Sequence, residues 1–185
     1  HDVDWIKQEE QLGTGHAVAQ AIPKLTDNDI VLVLYGDVPL ISANTLKRLL
    51  TSTAENGLGI LVTELDDPSG FDRIIRNRSG DIIAIVEDKD ATKKQREIRE
   101  INTGIITAPA KYLKKWLPKL KNKNKQQEYY LTDIIALAVQ SDVPIVGVKA
   151  ASSEEVKGVN DRWQLSQLER VYQKQLAKQF AMSGV

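Results

Sequence analysis

Short apolar runs alternate along the chain with stretches in which apolar residues recur every three or four positions. The run at residues 30–34 is continuous and rich in β-branched residues, so it predicts a strand covered on both faces and central in a parallel sheet. Further strands are predicted at residues 59–65, 73–76, 82–87, 103–107 and 144–148. Strands interspersed with helices indicate an α/β layered fold.

Helices are predicted in the intervening segments. Residues 15–22 read as one helix with Thr14 as a possible N-cap, and Ser42 caps the next. Two more are expected near residues 110–117 and 131–140. From residue 161 onward apolar residues recur at spacings of three and four, which predicts an amphipathic helix that runs nearly to the end of the chain.

Composition narrows the class of protein. The chain has 185 residues, of which 42% are hydrophobic, enough for one domain with a sizeable core. Lys and Arg number 25 and are balanced by 25 Asp and Glu, which favours a small ligand over nucleic acid. The absence of cysteine excludes thiolate catalysis and fits a reducing compartment. No apolar run approaches the roughly 20 residues of a membrane helix, so a cytoplasmic protein without a membrane partner is expected.

Two turns carry candidate chemistry. Gly13 and Gly15 flank a threonine just before a helix, and such a turn lets backbone N–H groups approach a ligand, although it is also a common loop-to-helix connection. Asp37 follows the strand at residues 30–34, at the end where open α/β sheets bind ligands, and its carboxylate suits Mg²⁺. The alternative is an ordinary turn before Pro39. Asn160 likewise reads as a possible cap of the terminal helix.

Six segments, taken in order, resemble one family. They read Gln-Leu-Gly-Thr-Gly-His-Ala, Tyr-Gly-Asp-Val-Pro-Leu, Ile-Val-Glu-x-Lys-Asp, Glu-Ile-Asn-Thr-Gly, Glu-Tyr-Tyr-Leu-Thr-Asp and Gly-Val-Asn-Asp-Arg. Each alone fits ordinary turn or cap chemistry. Together they resemble the bacterial bifunctional N-acetylglucosamine-1-phosphate uridyltransferase/glucosamine-1-phosphate acetyltransferase, and the resemblance covers the chain from about Trp5 to the terminal helix.

The resemblance implies a three-layer, Rossmann-like nucleotide-diphospho-sugar transferase fold with a mixed, mostly parallel sheet. Residues 1–160 would form a partial uridyltransferase domain, and residues 161–185 a connecting helix toward a left-handed β-helix acetyltransferase domain that the chain does not include. The family's first βα unit, with its Gly-rich phosphate loop, is missing before His1. Little or no activity is therefore expected of this chain alone, and the parent protein is expected to be a homotrimer through the β-helix domain.

The implied reaction joins UTP and N-acetylglucosamine-1-phosphate into UDP-N-acetylglucosamine and pyrophosphate, with Mg²⁺, on the way to peptidoglycan and lipopolysaccharide precursors. The sugar phosphate attacks the α-phosphorus in line, so that positioning and charge neutralisation supply the rate without a protein nucleophile. Two alternatives remain open. One is a non-catalytic remnant that binds nucleotide sugar, and the other is a nucleotidyltransferase for another sugar.

The resemblance also assigns site residues. Asp37 and Asn160 would be catalytic and hold the Mg²⁺. The nucleotide would contact Gln8, Gly13, Thr14, Tyr35, Gly36 and Asp37. The sugar would be surrounded by Asp72, Glu87, Asn102, Glu128, Tyr130 and Thr132. Asp72 departs from the family pattern, which has glycine at this position, and a carboxylate there is expected to crowd or repel the sugar phosphate.

Overall fold

The computed structural model describes residues 3–53 and 56–184, in which a six-stranded sheet is flanked by helices. The strands are β1 (Ile30–Val33), β2 (Leu58–Glu64), β3 (Arg73–Arg76), β4 (Ile82–Val86), β5 (Glu100–Pro109) and β6 (Ile145–Lys149). The helices are α1 (Thr14–Ala21), α2 (Ala43–Ser52), α3 (Lys93–Arg96), α4 (Ala110–Trp116), α5 (Ile134–Gln140) and α6 (Arg162–Met182). Short 3₁₀ helices lie at Ile22–Lys24, Leu117–Lys119, Leu131–Asp133 and Glu154–Val156. Every predicted strand is confirmed, with β5 longer than expected.

The long strand β5 organises the sheet. It pairs with β2 along one edge, and on its other edge it pairs with β3 near its start and with β1 near its end, all antiparallel. β3 and β4 are also antiparallel, and β2 with β6 is the one parallel pair among the described strands. The sheet is mixed, as predicted, but the prediction that it is mostly parallel is wrong for these residues. A continuous apolar run reveals that both faces of a strand are covered, whereas strand direction is set by the neighbour.

β1 is not the central strand that its sequence predicted. Within the described part of the chain it pairs with β5 alone, and Ile30 at its start is 51% exposed. Its two faces are nevertheless both used, because Val31 and Val33 pack on one side of the sheet and Leu32 on the other. The apolar run therefore predicted burial of both faces correctly and the place of the strand in the sheet wrongly.

Two hydrophobic cores sandwich the sheet and make the fold three-layered. Ile60 of β2 and Ile106 of β5 face the larger core, which α1, α4 and α5 cover and in which Trp116 is 1% exposed. Their neighbours Leu61 and Ile105 face the smaller core under α2. Successive side chains of a strand point to opposite faces, so both faces of β2 and β5 are apolar. The sheet is thereby held rigid beneath the loops that leave its strands.

The start of α1 differs from the prediction. Gly13, with φ of 111°, occupies the N-cap position, and Thr14 is the first helical residue. The Thr14 hydroxyl is engaged elsewhere, because it accepts a hydrogen bond from the backbone N–H of Leu131 at 3.0 Å. Thr14 therefore joins two distant segments instead of capping its own helix.

The terminal helix α6 is confirmed, but Asn160 does not cap it. Asp161 is the N-cap, and its carboxylate accepts a hydrogen bond from the Gln164 backbone N–H at 2.8 Å. Only Leu168 of α6 is buried. Among the described residues, no helix combines the length and the apolar composition needed to cross a membrane.

Candidate functional site

A cleft of about 850 Å³ opens beside the end of β1. Its walls come from the loop after β1, the loop before β3, the middle of β5, the segment after β6 and the first turns of α6. The polar residues among those that line it are Tyr35, Asp37, Ser69, Asp72, Asn102, Thr103, Glu154, Lys157, Asn160, Gln164 and Gln167. A large concave site with convergent polar groups is the natural place for a ligand.

Asp37 and Asn160 come from distant parts of the chain and meet in this cleft. The backbone N–H of Val159 donates a hydrogen bond of 2.9 Å to the carbonyl oxygen of Asp37. Gly158 also lies beside Asp37, because a Cβ at this position would be in ordinary van der Waals contact with Asp37 Oδ2, at 3.5 Å. Neither side chain forms a hydrogen bond with another residue in the described ranges, so a carboxylate and an amide oxygen face the cleft without protein partners.

These two groups fit a magnesium ion that also binds phosphate. Residues 3–53 and 56–184 contain no cluster of three or more His, Cys, Asp or Glu side chains able to hold a metal unaided. Mg²⁺, however, usually takes one or two protein ligands and completes its shell with phosphate oxygens and water. The carboxylate of Asp37 and the amide of Asn160 match that donor set, so the site suits Mg²⁺ together with a phosphorylated ligand.

The loop before β3 and the end of β4 bring two carboxyl groups into hydrogen-bonding contact, those of Asp72 and Glu87. Asn102 donates from Nδ2 to Asp72 Oδ2 at 3.3 Å, and Thr132 donates from Oγ1 to Glu87 Oε1 at 3.2 Å. Burial, followed by the charge of Asp72, raises the pKa of Glu87 to about 8, and burial also raises the pKa of Asp72. Four of the predicted sugar-binding residues therefore form one cluster.

Tyr35 lies beside this cluster because β5 has a glycine at the point of contact. Gly104 has φ of 83°, and a Cβ there would lie 2.6 Å from Cε2 of the Tyr35 ring. Burial, followed by the charges of Asp72 and Glu87, raises the pKa of Tyr35 to about 12, so its phenol stays protonated. The glycine of Glu-Ile-Asn-Thr-Gly thus makes room for the tyrosine of Tyr-Gly-Asp.

We expect Gly104→Ala to lower the free energy of unfolding by about 2–3 kcal/mol, since it adds left-handed strain to an overlap with Tyr35. Gly70→Ala is the matched control, because Gly70 also has positive φ, 81°, but nothing lies within 4 Å of the position that a Cβ would take there. Urea unfolding of both variants measures the difference. Equal losses would mean that Tyr35 does not depend on the space at Gly104.

The predicted nucleotide-binding turn lies apart from the cleft. Gln8 donates from Nε2 to the Gly13 carbonyl at 3.4 Å and contacts Nδ1 of His16 at 2.9 Å. A Cβ on Gly13 would lie 2.7 Å from the carbonyl oxygen of Tyr129. The turn is therefore bonded to the segment after residue 128, and Gln8, Gly13 and Thr14 do not line the cleft that contains Asp37. Their contact with a nucleotide stays a prediction.

The two remaining predicted residues also lie outside the main cleft. Tyr130 borders a second pocket of about 480 Å³ together with Glu87 and Asp90. Its hydroxyl donates to Asp90 Oδ2 at 3.4 Å. Glu128 is held through its backbone, which pairs with the Asn124 side chain. Glu87 lines this second pocket and contacts Asp72, which lines the main cleft. Sugar contacts by Glu128 and Tyr130 stay predictions.

Several residues that line the cleft are not among the residues predicted from the sequence, and they include Phe71, Lys157 and Trp163. Trp163 is 72% exposed in the first turn of α6, close to Asn160. A signal for it was available, because Trp163 is a large aromatic residue that falls outside the three-and-four spacing of the other apolar residues of this helix. Lys157 and Phe71 carried no comparable signal.

The chain matches the family profile described as MobA-like NTP transferase domain over residues 1–143. It is also similar to two proteins named Bifunctional protein GlmU. The one from Coxiella burnetii strain CbuK_Q154 is 60% identical over 183 residues, covering 99% of this chain and 40% of that protein. The one from Azoarcus sp. strain BH72 is 50% identical over 184 residues, covering 100% of this chain and 41% of that protein. These relatives confirm the family recognised from the six segments. The chain spans about two fifths of the length of these relatives.

A solved structure of UDP-glucose pyrophosphorylase complexed with UDP-glucose is similar in fold. The TM-score is 0.70, and the match covers 92% of this chain and 66% of that chain. The sequences are 16% identical, so the likeness concerns the fold alone. It confirms the predicted Rossmann-like α/β class.

Proposed function

Because the chain belongs to the MobA-like NTP transferase family, we propose that it transfers a uridylyl group from UTP to N-acetylglucosamine-1-phosphate, giving UDP-N-acetylglucosamine and pyrophosphate. Its class, a nucleotidyltransferase acting on a sugar phosphate, follows from the family and the relatives. The particular substrates, Mg²⁺, a cytoplasmic location and a role in cell-wall precursor synthesis are part of the proposal. Assembly as a trimer through a further domain stays a prediction of the resemblance.

The observation that carries the proposal is the convergence of Asp37 and Asn160 on one cleft. A hydrogen bond of 2.9 Å from the backbone N–H of Val159 to the Asp37 carbonyl oxygen joins the two segments. In the proposed reaction a phosphate oxygen of the sugar phosphate forms a bond to the α-phosphorus of UTP, while the bond to pyrophosphate breaks. The attacking oxygen is already ionised, so no protein base is required. Mg²⁺, when bound, supplies neutralisation of phosphate charge.

The chain's own residues orient the two substrates. Asp37 and Asn160 present oxygen ligands at the phosphate end of the cleft. At the other end, Asn102 and Tyr35 line the cleft and present an amide and a hydroxyl group suited to sugar hydroxyls and an acetamide. Positioning of two bound reactants is the main source of rate that such a site can provide.

The test is calorimetric binding of UDP-N-acetylglucosamine to the 185-residue chain with and without Mg²⁺, alongside an assay of pyrophosphate release. Asp37→Ala should weaken Mg²⁺-dependent binding about tenfold or more, because a hard carboxylate ligand is lost. Asp27→Ala is the control. Asp27 is an exposed carboxylate that pairs with Lys114 at 2.6 Å and does not line the cleft.

Three outcomes distinguish the proposed uridylyl transfer from its two alternatives, a non-catalytic remnant that binds nucleotide sugar and a nucleotidyltransferase for another sugar. Binding that is insensitive to Asp37→Ala contradicts the proposal. Mg²⁺-dependent binding without pyrophosphate release supports the non-catalytic alternative. Equal binding of UDP-glucose supports transfer to another sugar.

A further inference from the structure

The cleft beside Asp37 has little positive charge for a site that receives phosphorylated ligands. Three carboxylates line it, those of Asp37, Asp72 and Glu154. Among the described residues that line it, Lys157 is the single lysine or arginine. Phosphoryl transfer relies on cations placed against the phosphate oxygens, and a bound Mg²⁺ supplies only part of that charge. Of the described lining residues, Lys157 alone can therefore meet a phosphate with a side chain of opposite charge.

The backbone of Lys157 is fixed close to the candidate metal site. Lys157 is the C-cap of the 3₁₀ helix Glu154–Val156. Val156 anchors this helix, because it is 5% exposed and belongs to the smaller core. Two residues after Lys157, the backbone N–H of Val159 donates to the Asp37 carbonyl oxygen at 2.9 Å. The Lys157 side chain therefore starts two residues from the point at which this segment is hydrogen bonded to Asp37.

The Lys157 ammonium group has a partner that a phosphate can replace. Its Nζ lies 2.8 Å from Glu154 Oε1, and the side chains of Lys157 and Glu154 are 48% and 38% exposed. Exposed ion pairs of this kind are weak, because water screens the charges and both side chains lose rotational freedom. A charge-assisted hydrogen bond to a phosphate inside the cleft is stronger. The ammonium group, on its flexible four-carbon stem, can therefore leave Glu154 for a phosphate oxygen.

We propose that Lys157 binds a phosphate oxygen of the ligand beside Asp37, and that Glu154 holds the lysine ammonium group until the ligand enters. This inference rests on the proposed function and adds to it a phosphate-binding residue that lies outside the six segments. Glu154 and the phosphate compete for the same ammonium group. The Glu154 carboxylate thereby lowers the affinity of the cleft for phosphate.

The experiment compares UDP-N-acetylglucosamine, which carries a diphosphate, with N-acetylglucosamine, which carries no phosphate. Dissociation constants are measured by NMR titration of the 185-residue chain with Mg²⁺ present. Lys157→Ala should weaken binding of UDP-N-acetylglucosamine about tenfold or more, because a charge-assisted hydrogen bond to phosphate is lost. It should leave binding of N-acetylglucosamine unchanged. Lys157→Arg should keep most of the wild-type affinity, since the positive charge remains.

The competition with Glu154 has its own test. Glu154→Gln should tighten binding of UDP-N-acetylglucosamine about twofold to fivefold, because the ion pair that the phosphate must replace is weaker with a neutral partner. In the Lys157→Ala background the same substitution should have a smaller effect, since no ammonium group is left to compete for. An effect of equal size in both backgrounds would overturn the proposed exchange of partners.

Lys149→Ala is the matched control. Lys149 is also an exposed lysine in an ion pair, with Glu64 at 3.1 Å, and it does not line the cleft. Lys149→Ala should bind UDP-N-acetylglucosamine with the wild-type affinity.

The remaining outcomes separate this inference from the proposed function. If Lys157→Ala binds UDP-N-acetylglucosamine with the wild-type affinity while Asp37→Ala weakens binding, the inference is overturned and the proposed function stands. Equal weakening of both ligands by Lys157→Ala also overturns the inference, because the lysine would then shape the cleft without binding phosphate. If no form of the chain binds UDP-N-acetylglucosamine, the proposed function itself fails.

Discussion

Replacing Glu155 by alanine should lower the free energy of unfolding by about 3–5 kcal/mol. Glu155 is 4% exposed, and its carboxylate accepts hydrogen bonds from the Thr45 hydroxyl at 2.9 Å and from the Ala151 backbone N–H at 2.6 Å. It also lies 3.4 Å from the backbone nitrogen of Ser42, the N-cap of α2. Removing the carboxylate leaves the buried Thr45 hydroxyl without its acceptor, at about 1–3 kcal/mol, and also removes the charge-assisted bonds to the part-buried backbone N–H groups of Ala151 and Ser42.

The same contact positions the candidate site. Glu155 belongs to the 3₁₀ helix Glu154–Val156, which immediately precedes the Gly158–Asn160 wall of the cleft. Its bonds to α2 tie that wall to the smaller core. We therefore expect Glu155→Ala to weaken Mg²⁺-dependent ligand binding as well, although Glu155 does not line the cleft.

Denaturant unfolding checks the stability effect, with Glu154→Ala as the neighbouring control. Glu154 is a partly exposed residue that pairs with Lys157 at 2.8 Å, and such surface pairs contribute about 0–1 kcal/mol. A loss for Glu155→Ala no larger than the loss for Glu154→Ala would contradict the structural role assigned to this carboxylate.

The second large effect is a decline in stability with rising pH. Glu87 has a pKa near 8 in the folded chain and an ordinary value of 4.5 when unfolded. Below about pH 4.5 both states hold the proton. Above it the unfolded state loses the proton first, so folding requires proton uptake and the free energy of unfolding falls until the pH passes about 8. The steepest slope is about 1.4 kcal/mol per pH unit for one proton.

Urea unfolding from about pH 5 to pH 8.5 measures this decline, and Glu87→Gln should flatten it. The raised pKa values of Asp72 and Asp133 act in the same direction, so a smaller slope should remain in the variant. Glu64→Gln is the control, because Glu64 is 62% exposed in a surface pair with Lys149. If Glu87→Gln retains the full wild-type slope, the decline does not arise from the Glu87 carboxyl group.

The candidate site was only partly visible in the sequence. Asp37 and Asn160 were singled out as partners, and the structure does place both in one cleft. Gln8, Gly13 and Thr14 were assigned to the same nucleotide, yet hydrogen bonds tie them to the segment at residues 128–131. Which of a residue's several hydrogen-bonding options is used depends on what the fold brings within about 3 Å of it, and no local pattern contains that information.

The sequence by itself determined where the elements lie. The apolar run at residues 30–34 and the predicted strand at residues 73–76 became β1 and β3, and the three-and-four spacing after residue 161 became α6, because strand and helix periodicity are properties of neighbouring residues. The tertiary structure alone decided how those elements pair. It made the sheet mostly antiparallel around β5, and it brought Asp72 to Glu87 across a hairpin. Both depend on contacts between residues far apart in the chain, whose free energy is realised only when the whole core assembles.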